Sequence, residues 1–286
     1  MILYTKHINF ADMRFIDEIT AFLEDNGFCN SIQSIEGSDV ICVKTAEGRS
    51  EKLILPVEIA ATSIEDAKTA SRRTYETIRL ISESTDIPII ITEDRWRSRP
   101  DMMQARLLAH LNRFTPVFAR NCRICKIDKT TAEEFLNNNH SYGHAVCRYR
   151  YGMFYQEQLI AVGTFSNARR WMKEDKEIRS YEWTRYASLP QMRISGGMGK
   201  ILKAFIRDVQ PDDIMSYADL EWSDGDVYRT LGFIQEDPKA PVTFLIDHDT
   251  WQRTPIRQES DENCDGKLYF QNLGSNKYRL KLTDYK

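Results

Sequence analysis

The chain runs Ser180-Tyr-Glu-Trp-Thr-Arg-Tyr-Ala-Ser-Leu-Pro190, then Arg193-Ile-Ser-Gly-Gly-Met-Gly-Lys200, then an apolar stretch at helical spacing. A strand that feeds a glycine-rich turn and then a helix presents free main-chain N–H groups, because the first turn of a helix has no internal acceptors. This order restricts the region to an α/β unit whose turn is suited to an anion such as a phosphate. A second reading stays open, in which the glycines serve a tight turn that needs φ > 0 and no ligand is involved. A nucleotide P-loop is excluded. The residue five before Gly199 is Ile194, and Ile201 stands where a magnesium-binding hydroxyl would be required.

With 286 residues and 42% hydrophobic content, the chain can bury at least one core and is long enough for two domains. No apolar run is long enough to span a bilayer, and Met1-Ile-Leu-Tyr-Thr-Lys-His7 lacks a charged-then-apolar secretion layout, so a cytoplasmic protein with no membrane partner is expected. Six irregularly spaced cysteines, at 29, 42, 122, 125, 147 and 264, read as reduced thiols. Cys122-Arg-Ile-Cys125 has metal-ligand spacing but no second pair, and packed cysteines on a strand are the alternative. A formal net charge of -3 excludes a uniformly basic nucleic-acid coat and leaves local patches open.

Phe10, Met13, Phe15, Ile16, Ile19, Phe22 and Leu23 predict a helix closed by Asn26-Gly27. Residues 31–35, 40–43 and 53–60 predict a three-stranded meander with turns at 36–39 and 46–49. A helix near 63–84, a buried strand 87–92 and a helix from Pro100 follow, so the order is αβββαβα. Residues 1–116 are taken as a first domain, 117–250 as a second and 251–286 as a charged tail with a terminal hairpin. In the second, the pattern predicts one strand over 117–127, a capped helix at 130–136, a hairpin from strands 151–154 and 159–165, and a polar loop over 169–179. Strand 180–188, helix 199–209, strand 214–218, helix 224–231 and strand 242–246 complete the unit. The terminal hairpin pairs 268–271 with 277–282.

The strand, glycine turn and helix, followed by a strand and Tyr228-x-x-Leu-Gly-Phe233, together resemble the GNAT family of N-acetyltransferases over roughly residues 117–248. The resemblance implies a mixed sheet with helices on both faces, the acyl-CoA N-acyltransferase fold, and acetyl-CoA or a related acyl-CoA as donor. It assigns the donor phosphates to Arg193, Gly196, Gly197 and Gly199 with Lys200 as charge partner, and the proton for the leaving thiolate to Tyr228. The family spacing has Arg or Gln, two residues, Gly, one residue, then Gly or Ala. After Arg193 and Gly196 the last place here is Met198.

Ser216 to Phe233, Asn139-His-Ser-Tyr-Gly143 and Tyr151-Gly-Met-Phe-Tyr155 are similar to the C-terminal module of phage homing endonucleases and, more distantly, to phage Mom DNA-modification proteins. Asp219, at a strand end, is the first candidate base, or else a cap for the loop 220–225. Glu182 is a second candidate, or else a partner of Arg185. Tyr228 either donates a proton or packs on the sheet. His140 and His144 have i, i+4 spacing, but Gly143 between them points to a loop with structural or substrate-contact roles.

The N-terminal αβββαβα order resembles restriction-endonuclease-like domains, and Ile87 to Trp96 and Ala119 to Ile124 extend the homing-endonuclease resemblance. Asp39 and Glu58 fall near the implied acidic positions, while Ala60 stands where the lysine belongs, which marks a degenerate, non-cleaving domain with structural acids. Arg95, Arg97, Arg99, Arg106, Arg113, Arg120, Arg123 and Lys126 form a basic stretch that serves either phosphate contact or solvated helix faces. Two functions therefore follow as expectations. One is an acyl-CoA-dependent N-acyltransferase acting on an amine, with DNA or a nucleobase as acceptor. The other is a nuclease-derived nucleic-acid-binding protein of phage or mobile-element origin without transferase chemistry.

Overall fold

A computed structural model describes residues 13–35, 37–44, 51–83, 85–256 and 266–283. The start of the first expected helix at Phe10, the expected turn at 46–49, Cys264 and most of the expected charged tail lie outside the described residues.

The chain forms two compact units. The first takes residues up to Ser98 together with Thr243–Gln271, and the second takes Arg99–Val242 and residues from Asn272 on. This division differs from the expected breaks at 116 and 250: the segment after Val242 returns to the first unit, and residues 99–116 belong to the second.

In the first unit, α1 (Phe15–Asp25), β1 (Asn30–Ile35), β2 (Ser38–Lys44), β3 (Glu51–Val57), α2 (Ile64–Ser82), β4 (Ile89–Thr92) and α3 (Glu93–Ser98) follow one another. Phe15, Ile16, Ile19 and Leu23 lie at helical spacing on the buried face of α1. Strands β1 to β3 make an antiparallel meander, and β4 joins β3 in parallel across α2, which Ser63 caps by accepting from the Asp66 N–H at 3.1 Å.

Two acids at the end of β4 are buried and paired. The Asp94 carboxylate accepts from Arg253 Nη2 at 3.0 Å, and Glu93 accepts from the Ile59 N–H and from Arg97 Nε, each at 2.9 Å. Burial alone would raise the Asp94 pKa, but the Arg253 guanidinium reverses this and holds it below the usual carboxylate range. Asp39 and Glu58 are both exposed, with Glu58 beyond the end of β3. Among the described residues no group of three His, Cys, Asp or Glu side chains is placed to hold a metal ion.

In the second unit, α4 (Pro100–His110), β5 (Thr115–Phe118), a 3-10 turn (Ala119–Asn121), β6 (Arg123–Lys126), α5 (Lys129–Asn139), β7 (Tyr149–Tyr155), β8 (Gln158–Phe165), β9 (Arg169–Lys173), β10 (Lys176–Ser188) and β11 (Met192–Ser195) lead to α6 (Gly197–Val209). Then come β12 (Asp213–Asp219), α7 (Asp226–Thr230) and β13 (Ile234–Lys239). The chain next supplies β14 (Thr243–Ile246), β15 (Arg253–Pro255) and β16 (Leu268–Gln271) to a small sheet of the first unit, and β17 (Ser275–Lys281) closes the second.

The large sheet runs β13-β17-β12-β10-β8-β7-β6, with β9 paired to β10. Four expectations are corrected here. The single strand over 117–127 is broken by the 3-10 turn, and the polar loop 169–179 is a β9–β10 hairpin. Residues 243–246 do not complete this sheet, and 268–271 and 275–281 are not a hairpin: β17 inserts between β12 and β13 while β16 pairs β14. The helix at 130–136 begins one residue earlier, capped by Asp128, which accepts from the Thr131 N–H at 2.9 Å.

The helices α6 and α5 pack with different sheet residues. Ile201, Leu202, Ala204 and Phe205 of α6 pack with Phe165, Tyr181 and Trp183, whereas Ala132, Phe135 and Leu136 of α5 pack with Val162 and Ala187. Phe205 stacks on Phe165 with ring centroids 3.8 Å apart. No helix among the described residues is long and apolar enough to cross a membrane.

At the N-terminal end of the β10–β12 pair, Asp213 is fully buried and accepts from Arg279 Nη1 at 2.6 Å, with Ser180 Oγ donating to the same carboxylate oxygen. Arg279 Nε also reaches Glu236 at 2.6 Å, so one guanidinium links β17, β12 and β13. Removing one member of a buried pair strands the other charge. Arg279→Met is therefore expected to lower stability by about 3–5 kcal/mol in urea denaturation, and Asp213→Asn in that background to recover part of the loss.

Candidate functional site

Strands β10 and β12 pair in parallel over Ser180↔Asp213, Tyr181↔Ile214 and Glu182↔Met215, and then part. From Trp183 onward β10 runs along β8, with a bulge between Trp183 and Arg185, while β12 continues along β17 to Asp219. A bulge adds one unpaired residue and sharpens the local twist. Here it also reverses the alternation of β10. Trp183 and Tyr186, an odd number of residues apart, both pack in the α6 core, and Ala187 packs with α5.

The fork is bridged by side chains rather than by the ladder. Ser216, buried on β12, donates to the Trp183 carbonyl at 3.0 Å and lies 2.8 Å from the Tyr228 hydroxyl. A serine has a single hydroxyl proton, so while Trp183 O holds it, Tyr228 is the donor in the second contact. Tyr228 stacks on Tyr278, with ring centroids 5.2 Å apart, and meets Trp183 and Phe233 edge-on. Tyr278 is fixed in turn: its hydroxyl accepts from Arg229 Nη1 at 2.8 Å and donates to Asp224 O at 3.1 Å. Burial raises the Tyr228 pKa above that of a free phenol, and the Ser216 hydroxyl, available to a phenolate, pulls the other way.

The glycine turn lies beside this fork. Strand β11 pairs in parallel with β5, Gly196 takes φ 76 as N-cap, and α6 begins at Gly197. The Lys200 N–H donates to Gly196 O at 3.0 Å, so the amides of residues 197–199 precede the first intrahelical bond. No side chain caps this end and no acid stands in its first turn. A Cβ on Gly197 would sit 2.6 Å from the Tyr186 hydroxyl, and one on Gly199 would sit 3.0 Å from Leu231 Cδ2. The first turn of α6 thus touches β10 through Gly197 and the residue after α7 through Gly199.

The remaining expected site residues are placed differently from one another. Arg193 is exposed, its guanidinium 5.5 Å from the Phe114 ring centroid. Lys200 turns back: its ammonium donates to Ala119 O at 2.8 Å and to Cys122 O, which fixes the 3-10 turn against α6. Asp219 accepts from the Glu221 N–H at 3.0 Å, and its carbonyl accepts from the Trp222 and Ser223 N–H groups, which makes it a cap of the loop leading to α7. Glu182 is half-buried, bonded to Ser166 through its main chain, and acts electrostatically on the half-buried Arg185 guanidinium, which donates to Gly143 O at 3.0 Å.

His140 Nδ1 accepts from the Tyr142 N–H at 3.1 Å, and His144 lies 3.1 Å from Asn137 Oδ1, so the two rings serve the loop after α5. Cys122 is buried, and Cys125 accepts from Arg123. Sequence reasoning missed Ser216, Tyr186 and Tyr278. Their common signal is a hydroxyl-bearing residue at a strand position that must face the core.

No family model matches the chain, and no curated protein matches it. Among solved structures, it is similar to a GNAT family acetyltransferase from Elizabethkingia anophelis with acetyl-CoA bound, at 14% identity over 57% of this chain and 99% of that one, with a TM-score of 0.33. It is similar to a Bacillus subtilis acetyltransferase in complex with CoA at 16% identity, 57% and 99% coverage and a TM-score of 0.33. For the ribosomal-protein-S18-alanine N-acetyltransferase of Escherichia coli the values are 11% identity, 58% and 96% coverage and a TM-score of 0.34.

The packing around Gly197 gives a prediction that needs no ligand. Gly197→Ala presses a methyl group against the Tyr186 hydroxyl, and the expected cost is about 1–3 kcal/mol in thermal unfolding. Tyr186→Phe, which removes that oxygen, should return part of it in the double variant.

Proposed function

We propose that the second unit is an acyl-CoA-dependent N-acyltransferase whose donor enters the β10–β12 fork. One observation carries the reading: parallel strands part directly after Glu182 and Met215, with a proton-bearing phenol at the fork and the uncapped first turn of α6 packed between Tyr186 of β10 and Leu231. The donor fits this set because α6 offers N–H groups and no acid to a pyrophosphate, and exposed Arg193 lies on β11 three residues before the N-cap Gly196. A thioester supplies an activated acyl carbon, and an amine held against it needs orientation, loss of one proton, and protonation of the departing thiolate.

In this reading Tyr228 holds the proton. Its raised pKa keeps the phenol neutral at physiological pH, and Ser216 can turn its own proton toward the phenolate once Tyr228 has given one up. Asp219 acts as a positioning residue, holding the loop that carries α7 and hence Tyr228, and Glu182 is the carboxylate proposed to take the amine proton.

The acceptor is proposed as a small or terminal amine rather than an amine on duplex DNA. Much of the basic stretch has partners within the protein: Arg97 pairs with Glu18 and Glu93, Arg99 donates to Asn137 O, Arg106 to Glu221 O and Trp222 O, and Lys126 pairs with Asp208. A nuclease reading of the first unit has exposed Asp39 and Glu58 and no assembled metal group among the described residues to support it.

Calorimetric titration with acetyl-CoA is expected to show one site. Gly197→Asp should abolish it by placing a carboxylate among the amides. Tyr228→Phe should keep binding while thiol release to an amine acceptor falls about 10²–10⁴-fold. Absence of heat in the wild type would remove the reading.

A further inference from the structure

We infer that the outer face of the β5–β11 ribbon is a nucleotide subsite that takes the adenosine 3',5'-bisphosphate end of the donor. The inference rests on the acyl-CoA reading and adds to it the residues that grip the end remote from the chemistry. The parallel register places Phe118 beside Ser195, one residue before the N-cap Gly196 of α6. Val117 and Ile194 turn into the core, so Phe118, Arg193 and Ser195 share the outward face. Phe118 is 50% exposed, which is unusual for a phenylalanine on a paired strand, and the Arg120 guanidinium lies 4.9 Å from its ring centroid. An aromatic ring with an arginine guanidinium over one face offers a nucleobase its other face and the guanidinium itself.

Charge complementarity selects the occupant. Between Leu111 and Ile127, and again between Ser188 and Arg207, the chain has no Asp or Glu, and while Arg123, Lys126 and Arg207 pair with acids elsewhere, Arg120 and Arg193 stand on this face. Neither Arg120 nor Arg193 makes an ion pair among the described residues. In a chain of net charge -3, such a strip is a local field for an anion.

Lys200 joins the ribbon to α6. Its ammonium is bound to Ala119 O and Cys122 O, so it does not reach outward. It locks the turn that follows Phe118 to the first turn of α6, and a Cβ on Gly196 would lie 3.7 Å from Ala119 Cβ. The stacking surface and the free amides are therefore held as one rigid edge, as a ligand with a base at one end and a pyrophosphate further along requires.

The test is titration of the full chain with adenosine 3',5'-bisphosphate, acetyl-CoA and a short oligothymidylate, on wild type, Phe118→Ala and Arg120→Ala, with thermal melts to show that each variant is folded. The expected result is that both nucleotide ligands bind the wild type and weaken about tenfold or more in each variant. Turnover of acetyl-pantetheine, which lacks the nucleotide, should not change. Equal acetyl-CoA affinity in all three proteins would overturn the subsite and leave the donor reading standing. No binding of acetyl-CoA by the wild type would end both. Oligothymidylate binding that the variants weaken, without bisphosphate binding, would overturn the inference in favour of a nucleic-acid strand.

Discussion

The geometry of the second unit depends on the buried carboxylate of Asp213 and the guanidinium that meets it. Parallel strands that are to part at one end must be held firmly at the other, because a three-pair ladder supplies few hydrogen bonds of its own. Arg279 reaches Asp213 from β17 and Glu236 on β13, and Ser180 closes the same carboxylate from β10. Four strands are thus tied at one point. The tie uses β17, which the chain contributes only after its excursion through β14 to β16, so the sheet around the fork is completed by almost the last described residues.

Beyond that tie, two local irregularities open the fork. The bulge at Trp183 to Arg185 turns β10 toward β8, and Ser216 replaces the missing ladder contact with a side-chain bond to Trp183 O. A hydroxyl can do what an amide in a ladder cannot, which is to bond the neighbouring strand and a third group at once. That third group is Tyr228, whose ring is set by Tyr278, Trp183 and Phe233. The phenol at the fork is consequently a product of packing: three aromatic contacts choose its direction before any ligand is considered.

How much of this was legible in the sequence can be argued from particular residues. The glycine turn, the start of α6 near 197 and the α7 turn ending in Gly232-Phe233 were readable because glycine at a helix boundary has a local cause, φ 76 at Gly196 and φ 85 at Gly232. The hairpin β7–β8 was readable from its apolar runs. Strand β9 was not: Arg169-Arg-Trp-Met-Lys173 pairs on one side only and faces solvent, so it has no apolar alternation to reveal it. Strand β13 is similarly hidden by Gln235, Glu236, Asp237 and Pro238. The partnership of β17 with β12 rather than with β16 is a matter of tertiary pairing, and nothing within residues 268–282 specifies it. Of the site, the sequence marked Tyr228 and the turn, but the orientation of Lys200 and the capping work of Asp219 depend on where Ala119, Cys122 and Glu221 lie in space.

Gly197 and Gly199 have a packing cause that stands whether or not the turn binds a ligand. Each lacks a Cβ for a reason internal to the protein, since Tyr186 and Leu231 occupy the space. Glycine at these positions is therefore no sign of a ligand by itself. The close approach nevertheless has a second effect. It brings the first turn of α6, with its uncapped amides, against Tyr186 of β10 and Leu231 after α7. An alanine at Gly197 would press on Tyr186 and Ile194 and displace that turn. Packing therefore fixes where the uncapped amides of the turn stand, and the proposed donor site depends on that placement.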